Sequence, residues 1–271
     1  MQILIGLVLL PSLIYIPGWL WSRLIVSHAD LLDRHYERFL VSTLWTGWLA
    51  LLLAELGIFS LLTLVGATML MCLLAWLVSQ RFSDGIWLVA TPRPRWEIWV
   101  YLFMLLVFGG MVARPFEMVT GGRDAGVYVN TGYAIARTGS IVQHDALLAE
   151  IANNRLSPDP AIREPAKQAY TNLYGNQNPQ RFIATRFTQP SFLSNETAAL
   201  KGDVYPNNLH LYPSWIAVWT ALFGLRGGLL ATGYLGWLAI WSIAMLGRRL
   251  LAGKAGAYFG SFALVFVGLN T

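Results

Sequence analysis

The sequence predicts an all-α integral membrane protein: a helical bundle of about six transmembrane helices, with interfacial helices and one long mixed extracytoplasmic loop. Three observations predict it. Of the 271 residues, 56% are hydrophobic and only 12% are charged, against about a quarter charged in soluble domains. Uncharged runs of about 16 to 25 residues, near the length that crosses about 30 Å of hydrocarbon, recur along the chain. Lys and Arg gather in short segments between those runs, so the net charge of +5 reads as orientation in a bilayer and not as nucleic-acid affinity. The one cysteine, Cys72, lies in an apolar run, so no internal disulfide holds the long polar segment.

Residues 1–22 carry no charged side chain and make the first span. No basic segment precedes them and no small-residue cleavage site follows, which argues against a cleaved signal peptide. Residues 39–54 and 56–80 make the second and third spans, with Glu55 and Gly57 in the tight turn between them. Residues 98–113 make the fourth. The chain thus divides into a three-helix membrane segment, 1–96, and a membrane core, 97–271, that includes the loop 115–210. Arg23, Arg34 and Arg38 follow the first span, and Arg81, Arg93 and Arg95 follow the third, which places both loops in the cytoplasm. The turn at Glu55 and the loop 115–210 then face outward, making a multi-pass protein of the cell membrane.

That loop, about ninety residues long, exceeds an ordinary connection. Gly121 and Gly122 free the backbone for a turn, Asp124 can cap a helix over 125–137, and Gly139 stands just past its end. Residues 145–154 have a helical pattern, the Pro- and Asn-rich stretch to residue 180 reads as irregular, and 181–187 alternate as a strand does. Residues 211–225 are apolar but only about fifteen long, which is marginal for a crossing. If they crossed, the next span, 227–247, would leave Arg248, Arg249 and Lys254 outside, so the segment is expected to lie in the interface. Residues 255–271 start outward again and stop at Thr271 without a polar tail, as a truncated chain would.

Three residue groups carry candidate chemistry. Asp124 reads equally as a helix cap or as a general base or ligand for a hard divalent cation such as Mg or Mn. Arg123 is a snorkelling surface residue or a phosphate contact, and His210 is a structural histidine or a ligand. Trp215, Trp219 and Phe223, four residues apart, suit an interfacial aromatic anchor. The tripeptide Asn195-Glu-Thr197 is too short a pattern to carry weight. No phosphate-binding glycine loop, metal-spaced Cys/His cluster or nucleophile elbow is present, and no span carries the mid-membrane charges of an ion pathway.

Arg123-Asp-Ala-Gly-Val-Tyr128 with Ala134-Ile-Ala-Arg-Thr-Gly139, and His210-Leu-Tyr-Pro-Ser-Trp-Ile-Ala-Val-Trp-Thr-Ala-Leu-Phe-Gly224, resemble two features of the C-type glycosyltransferase (GT-C) superfamily. These are its first-loop acidic motif and its His/Pro-led juxtamembrane helix. The superfamily includes protein O-mannosyltransferases and aminoarabinose transferases that use polyprenyl-phosphate sugars. The resemblance covers residues 98–271. It departs from the family in the extra spans one to three, in the long first loop, and in a second outer loop that falls beyond Thr271. It implies transfer of a sugar from a polyprenyl-phosphate donor to an acceptor on the outer face, with Asp124 as base or metal ligand. By the same resemblance Arg123, Tyr128, His210 and Tyr212 bind substrate, Arg123 and His210 at the donor phosphate. The rival expectation is a non-enzymatic membrane protein, a lipid-carrier transporter or an envelope assembly scaffold, in which Asp124 is only a cap.

Overall fold

A computed structural model describes residues 2–22, 31–81, 124–174, 192–194, 196–206 and 209–250, with 99, 102, 103, 106, 109 and 262 singly. The described chain is mostly helical: α1 Gln2–Trp21, α2 Leu31–Glu55, α3 Leu61–Ser79, α4 Asp124–Thr138, α5 Ala146–Asn154, α6 Pro160–Tyr174, α7 Glu196–Lys201 and α8 Leu211–Leu250. Three short strands, β1 Gln143–His144, β2 Phe192–Leu193 and β3 Asp203–Pro206, complete it. Two compact units form, each drawing on residues before and after residue 96. The first holds Met1–Leu49, Leu61–Phe116 and Leu222–Thr271; the second holds Ala50–Ser60 and Glu117–Ala221.

Among the described residues, three helical stretches are long and apolar enough to cross a membrane: Ile3–Trp21, Leu61–Ser79 and Leu211–Leu246. Residues 39–54 are helical within α2, whose first turns carry Asp33, Arg34, Glu37 and Arg38. Of the run 98–113, Trp99, Leu102, Phe103, Leu106 and Gly109 are described and helical; the rest, like 255–271 apart from Phe262, lies outside the described residues. The last long helix is not continuous. At Gly224 the backbone takes φ 79° and ψ −175°, so α8 is two helices joined at a kink, close to the boundary expected between 225 and 227.

In the first unit, proline chemistry pairs α1 with α2. Pro17 lies inside α1 and has no N–H, which leaves the Leu13 carbonyl without its helical donor. Thr46 Oγ1 of α2 fills the place at 2.7 Å, and one turn earlier Ser42 Oγ accepts the Gly18 N–H at 2.7 Å. The backbones touch there: a Cβ on Gly18 would fall 2.0 Å from the Arg38 carbonyl oxygen. Thr46 is fully buried, so Thr46→Val keeps the shape and removes the donor. A loss of about 1–2 kcal/mol is expected, read as an earlier thermal unfolding midpoint in detergent. α1 also packs on α3, whose Leu62, Met69, Leu70 and Trp76 are exposed, as side chains facing lipid are.

The second unit contains the sheet, in the order β1-β3-β2 with both pairings antiparallel. Gln143 pairs with Val204 and Leu193 with Tyr205. Helices α5, α6 and α7 close over Val204 with Leu148, Ala152, Tyr170 and Ala199 as the core. Asp145 caps α5, its Oδ1 accepting from the N–H groups of Leu147 and Leu148 at 3.0 and 3.2 Å. Residues 160–174, expected to be irregular, form a helix. Pro160 is its first residue, where its missing N–H costs nothing, and Asp159 Oδ1 accepts the Ala161 N–H at 2.9 Å. Ala166 and Tyr170, four residues apart, bury its inner face, and Arg155 lies 4.1 Å from the Tyr170 ring centre. The strand-like run 181–187 lies outside the described residues.

Candidate functional site

Asp124 opens α4 as its first helical residue. Arg123 lies outside the described residues, and of Asp124 the backbone alone is described. At its other end α4 closes as the glycine predicts. Gly139 takes φ 80°, its N–H bonds the Ile135 carbonyl at 2.8 Å, and its own carbonyl accepts the Phe59 N–H at 3.0 Å. Ile141 N–H donates to the Ala54 carbonyl at 3.2 Å, so the end of α4 is stitched to the turn after α2.

Helical periodicity places positions 124, 128, 131 and 135 on one face of α4. From that face Tyr128 meets Tyr212, ring centres 5.4 Å apart and edge to face at 73°. Gly132, one turn beyond Tyr128, meets Ile216, one turn beyond Tyr212; a Cβ there would lie 2.6 Å from the Ile216 Cβ and 2.9 Å from the Pro213 carbonyl oxygen. Both steps run in the same direction, so α4 and the start of α8 lie parallel with their N-termini at the same end. One turn back from Tyr128, Asp124 opens α4 at the end of the pair where His210 immediately precedes α8. Two of the expected substrate residues, Tyr128 and Tyr212, are thus in contact, and the register brings Asp124 and His210 to the same end of the helix pair.

His210 directly precedes α8. Its carbonyl accepts from the Ser214 N–H at 3.0 Å and from Ser214 Oγ at 2.8 Å, and Pro213 fits the first turn because no N–H is needed there. The ring is held on both sides: Nδ1 is 3.1 Å from Glu55 Oε1 and Nε2 is 3.1 Å from the Pro206 carbonyl oxygen. A carbonyl only accepts, and neutral imidazole has one N–H. Both bonds therefore form together only when the His210–Glu55 pair holds one proton more than neutral imidazole with carboxylate. The His210 side chain is 24% exposed and that of Glu55 53%, so the pair is open to solvent on the Glu55 side.

Glu55 was expected only as a turn residue. Its one sequence signal is that it is the sole acid between two apolar runs. Trp215 and Trp219 differ from expectation in another way: they are 3% and 9% exposed, with Ile216 and Val218 fully buried beside them. They fill the protein's interior and do not form an interfacial aromatic anchor. Thr131, on the Asp124 face of α4, is 1% exposed, and its hydroxyl has no hydrogen-bond partner among the described residues.

Among the described residues no group of three or more His, Cys, Asp or Glu side chains could hold a metal ion. The expected divalent cation (Mg or Mn) has Asp124 as its named ligand, and that side chain lies outside the description. No family model, no curated protein and no solved structure matches the chain.

Proposed function

We propose that this protein is a membrane glycosyltransferase of the C type, moving a sugar from a polyprenyl-phosphate donor to an acceptor on the outer face of a cell membrane. The supporting observation is the parallel register of α4 and α8, which gathers two helix N-termini, Asp124 and the His210–Glu55 pair in one place. Aligned N-termini carry partial positive charge and favour a phosphate. In the proposed step the acceptor hydroxyl attacks the anomeric carbon, the bond from that carbon to the phosphate oxygen breaks, and polyprenyl phosphate leaves. Asp124 takes the hydroxyl proton. Arg123 and His210 hold the donor phosphate, and because both His210 nitrogens already face oxygens, the phosphate enters by replacing the Glu55 carboxylate, one anion for another. Tyr128 and Tyr212 line the path beside them.

In this reading about six helices cross the bilayer and the loop 115–210 faces outward, as the basic segments between spans favour. The test is a transfer assay in membranes with labelled polyprenyl-phosphate sugars, in which labelled acceptor should accumulate; its absence with every donor would remove the activity. Orientation is checked separately. With Cys72 replaced by Ser, a cysteine near Asn176 is expected to react with a membrane-impermeant thiol reagent in intact cells, and one near Ser83 to remain unlabelled. Labelling at Ser83 alone would reverse the topology.

A further inference from the structure

Arg38 stands where α2 passes from its charged first turns into the uncharged run that begins at Phe39. It is half-buried, and its Nη1 donates to the Tyr15 hydroxyl of α1 at 2.8 Å, with the guanidinium 5.7 Å from the Tyr15 ring centre. The same hydroxyl oxygen is 2.7 Å from His35 Nδ1. Arg38 can only donate, and among the described residues the phenol hydrogen has no other acceptor, so Tyr15 donates to Nδ1 and the His35 hydrogen rests on Nε2. A neutral ring suits these surroundings: burial first, then the charges of Arg38 and Arg34, hold the His35 pKa below its ordinary value.

The hydrogen-bonding capacity left over is one-sided. A guanidinium carries five N–H groups, and that of Arg38 makes one hydrogen bond among the described residues. Its Nε is buried and has no hydrogen-bond partner among the described residues. His35 adds a second kind of donor, the Nε2 hydrogen. A merely snorkelling arginine would extend its head into water, whereas this one is tied back onto a tyrosine. Further rings extend from Tyr15: Phe39 lies 5.2 Å from Tyr15 and 5.4 Å from Trp237, and on the same helices Tyr36, whose hydroxyl donates to Ser242 Oγ at 2.8 Å, lies 5.6 Å from Trp241. Tyr and Trp collect at the depth of lipid headgroups, where basic pockets between membrane helices take lipid phosphates.

We propose that Arg38, with Tyr15 and His35, forms a binding site for the phosphate of an anionic phospholipid, a role independent of the proposed sugar transfer. The guanidinium supplies charge and donors, His35 supplies its Nε2 hydrogen, and the acyl chains lie along the apolar helices. The test is thermal unfolding of the whole protein in neutral detergent, with added dioleoyl phosphatidylglycerol, dioleoyl phosphatidylcholine or inorganic phosphate. Phosphatidylglycerol is expected to raise the midpoint by roughly 5 °C more than phosphatidylcholine, with inorganic phosphate giving no shift. Arg38→Gln should lose most of that difference, and Arg38→Lys, which keeps a charge without the fork, should lose part of it. Equal shifts from the two lipids in the unaltered protein, a full phosphatidylglycerol shift in the Gln variant, or the same shift from inorganic phosphate would each overturn the proposal. The first and third of these need no variant to fold.

Discussion

Asp124→Asn is expected to abolish sugar transfer while leaving the amount of protein in the membrane and its melting behaviour nearly unchanged. Asn caps a helix about as well as Asp, so the stability cost should stay well under about 1 kcal/mol if capping is all the residue does for the fold. A general base loses its function in the same substitution, and that loss is typically about 100- to 10,000-fold in rate. The two roles therefore separate in one variant. Asp124→Ala should lose transfer to the same extent with a small added loss of stability. Wild-type-like transfer by the Asn variant would leave Asp124 as a cap alone.

The second large effect is expected at Gly132, where no side chain fits. A Cβ would fall 2.6 Å from the Ile216 Cβ and 2.9 Å from the Pro213 carbonyl oxygen, and neither is the free end of a flexible side chain. Ile216 is itself fully buried, so it has no space to retreat into. Gly132→Val should force α4 away from the start of α8, lowering stability by about 1–3 kcal/mol. It should also separate Tyr128 from Tyr212 and move Asp124 relative to His210. Transfer should then fall far more than the fraction of folded protein does. Gly132→Ala should show both effects in smaller measure. A Gly132→Val protein with the melting point and the activity of the parent would contradict the parallel register.

What could be read from the residues and what could not divides by the range of the forces involved. Helix α4 was legible because its signals are local: a glycine pair, an acidic first residue, and Gly139 at the left-handed position past its end. The kink at Gly224 falls close to the boundary expected between the apolar runs 211–225 and 227–247, which Arg226 separates, although Gly224 itself was not read as the break. Helix α6 was not legible, because Pro160 and Pro165 read as breakers until the first is seen to be the opening residue capped by Asp159. Trp215 and Trp219 show the limit of spacing as a guide, since a four-residue aromatic period fits a lipid interface and a protein core equally well; burial decides it. The bond from Thr46 to the Leu13 carbonyl that Pro17 leaves open, and the hold of Glu55 on His210, join residues 33 and 155 apart in sequence. No local pattern announces either.

The central claim is that the start of α4 and the start of α8 together form one donor site, and photo-crosslinking tests it most directly. A polyprenyl-phosphate sugar carrying a diazirine on the sugar would be bound to the protein in membranes and activated by light, and the labelled peptides would then be mapped by mass spectrometry. The label is expected in the peptide holding Asp124 and Tyr128 and in the peptide holding His210 and Tyr212, and to be competed away by unlabelled donor. Label confined to α1, α2 and α3, or insensitive to competition, would contradict the site.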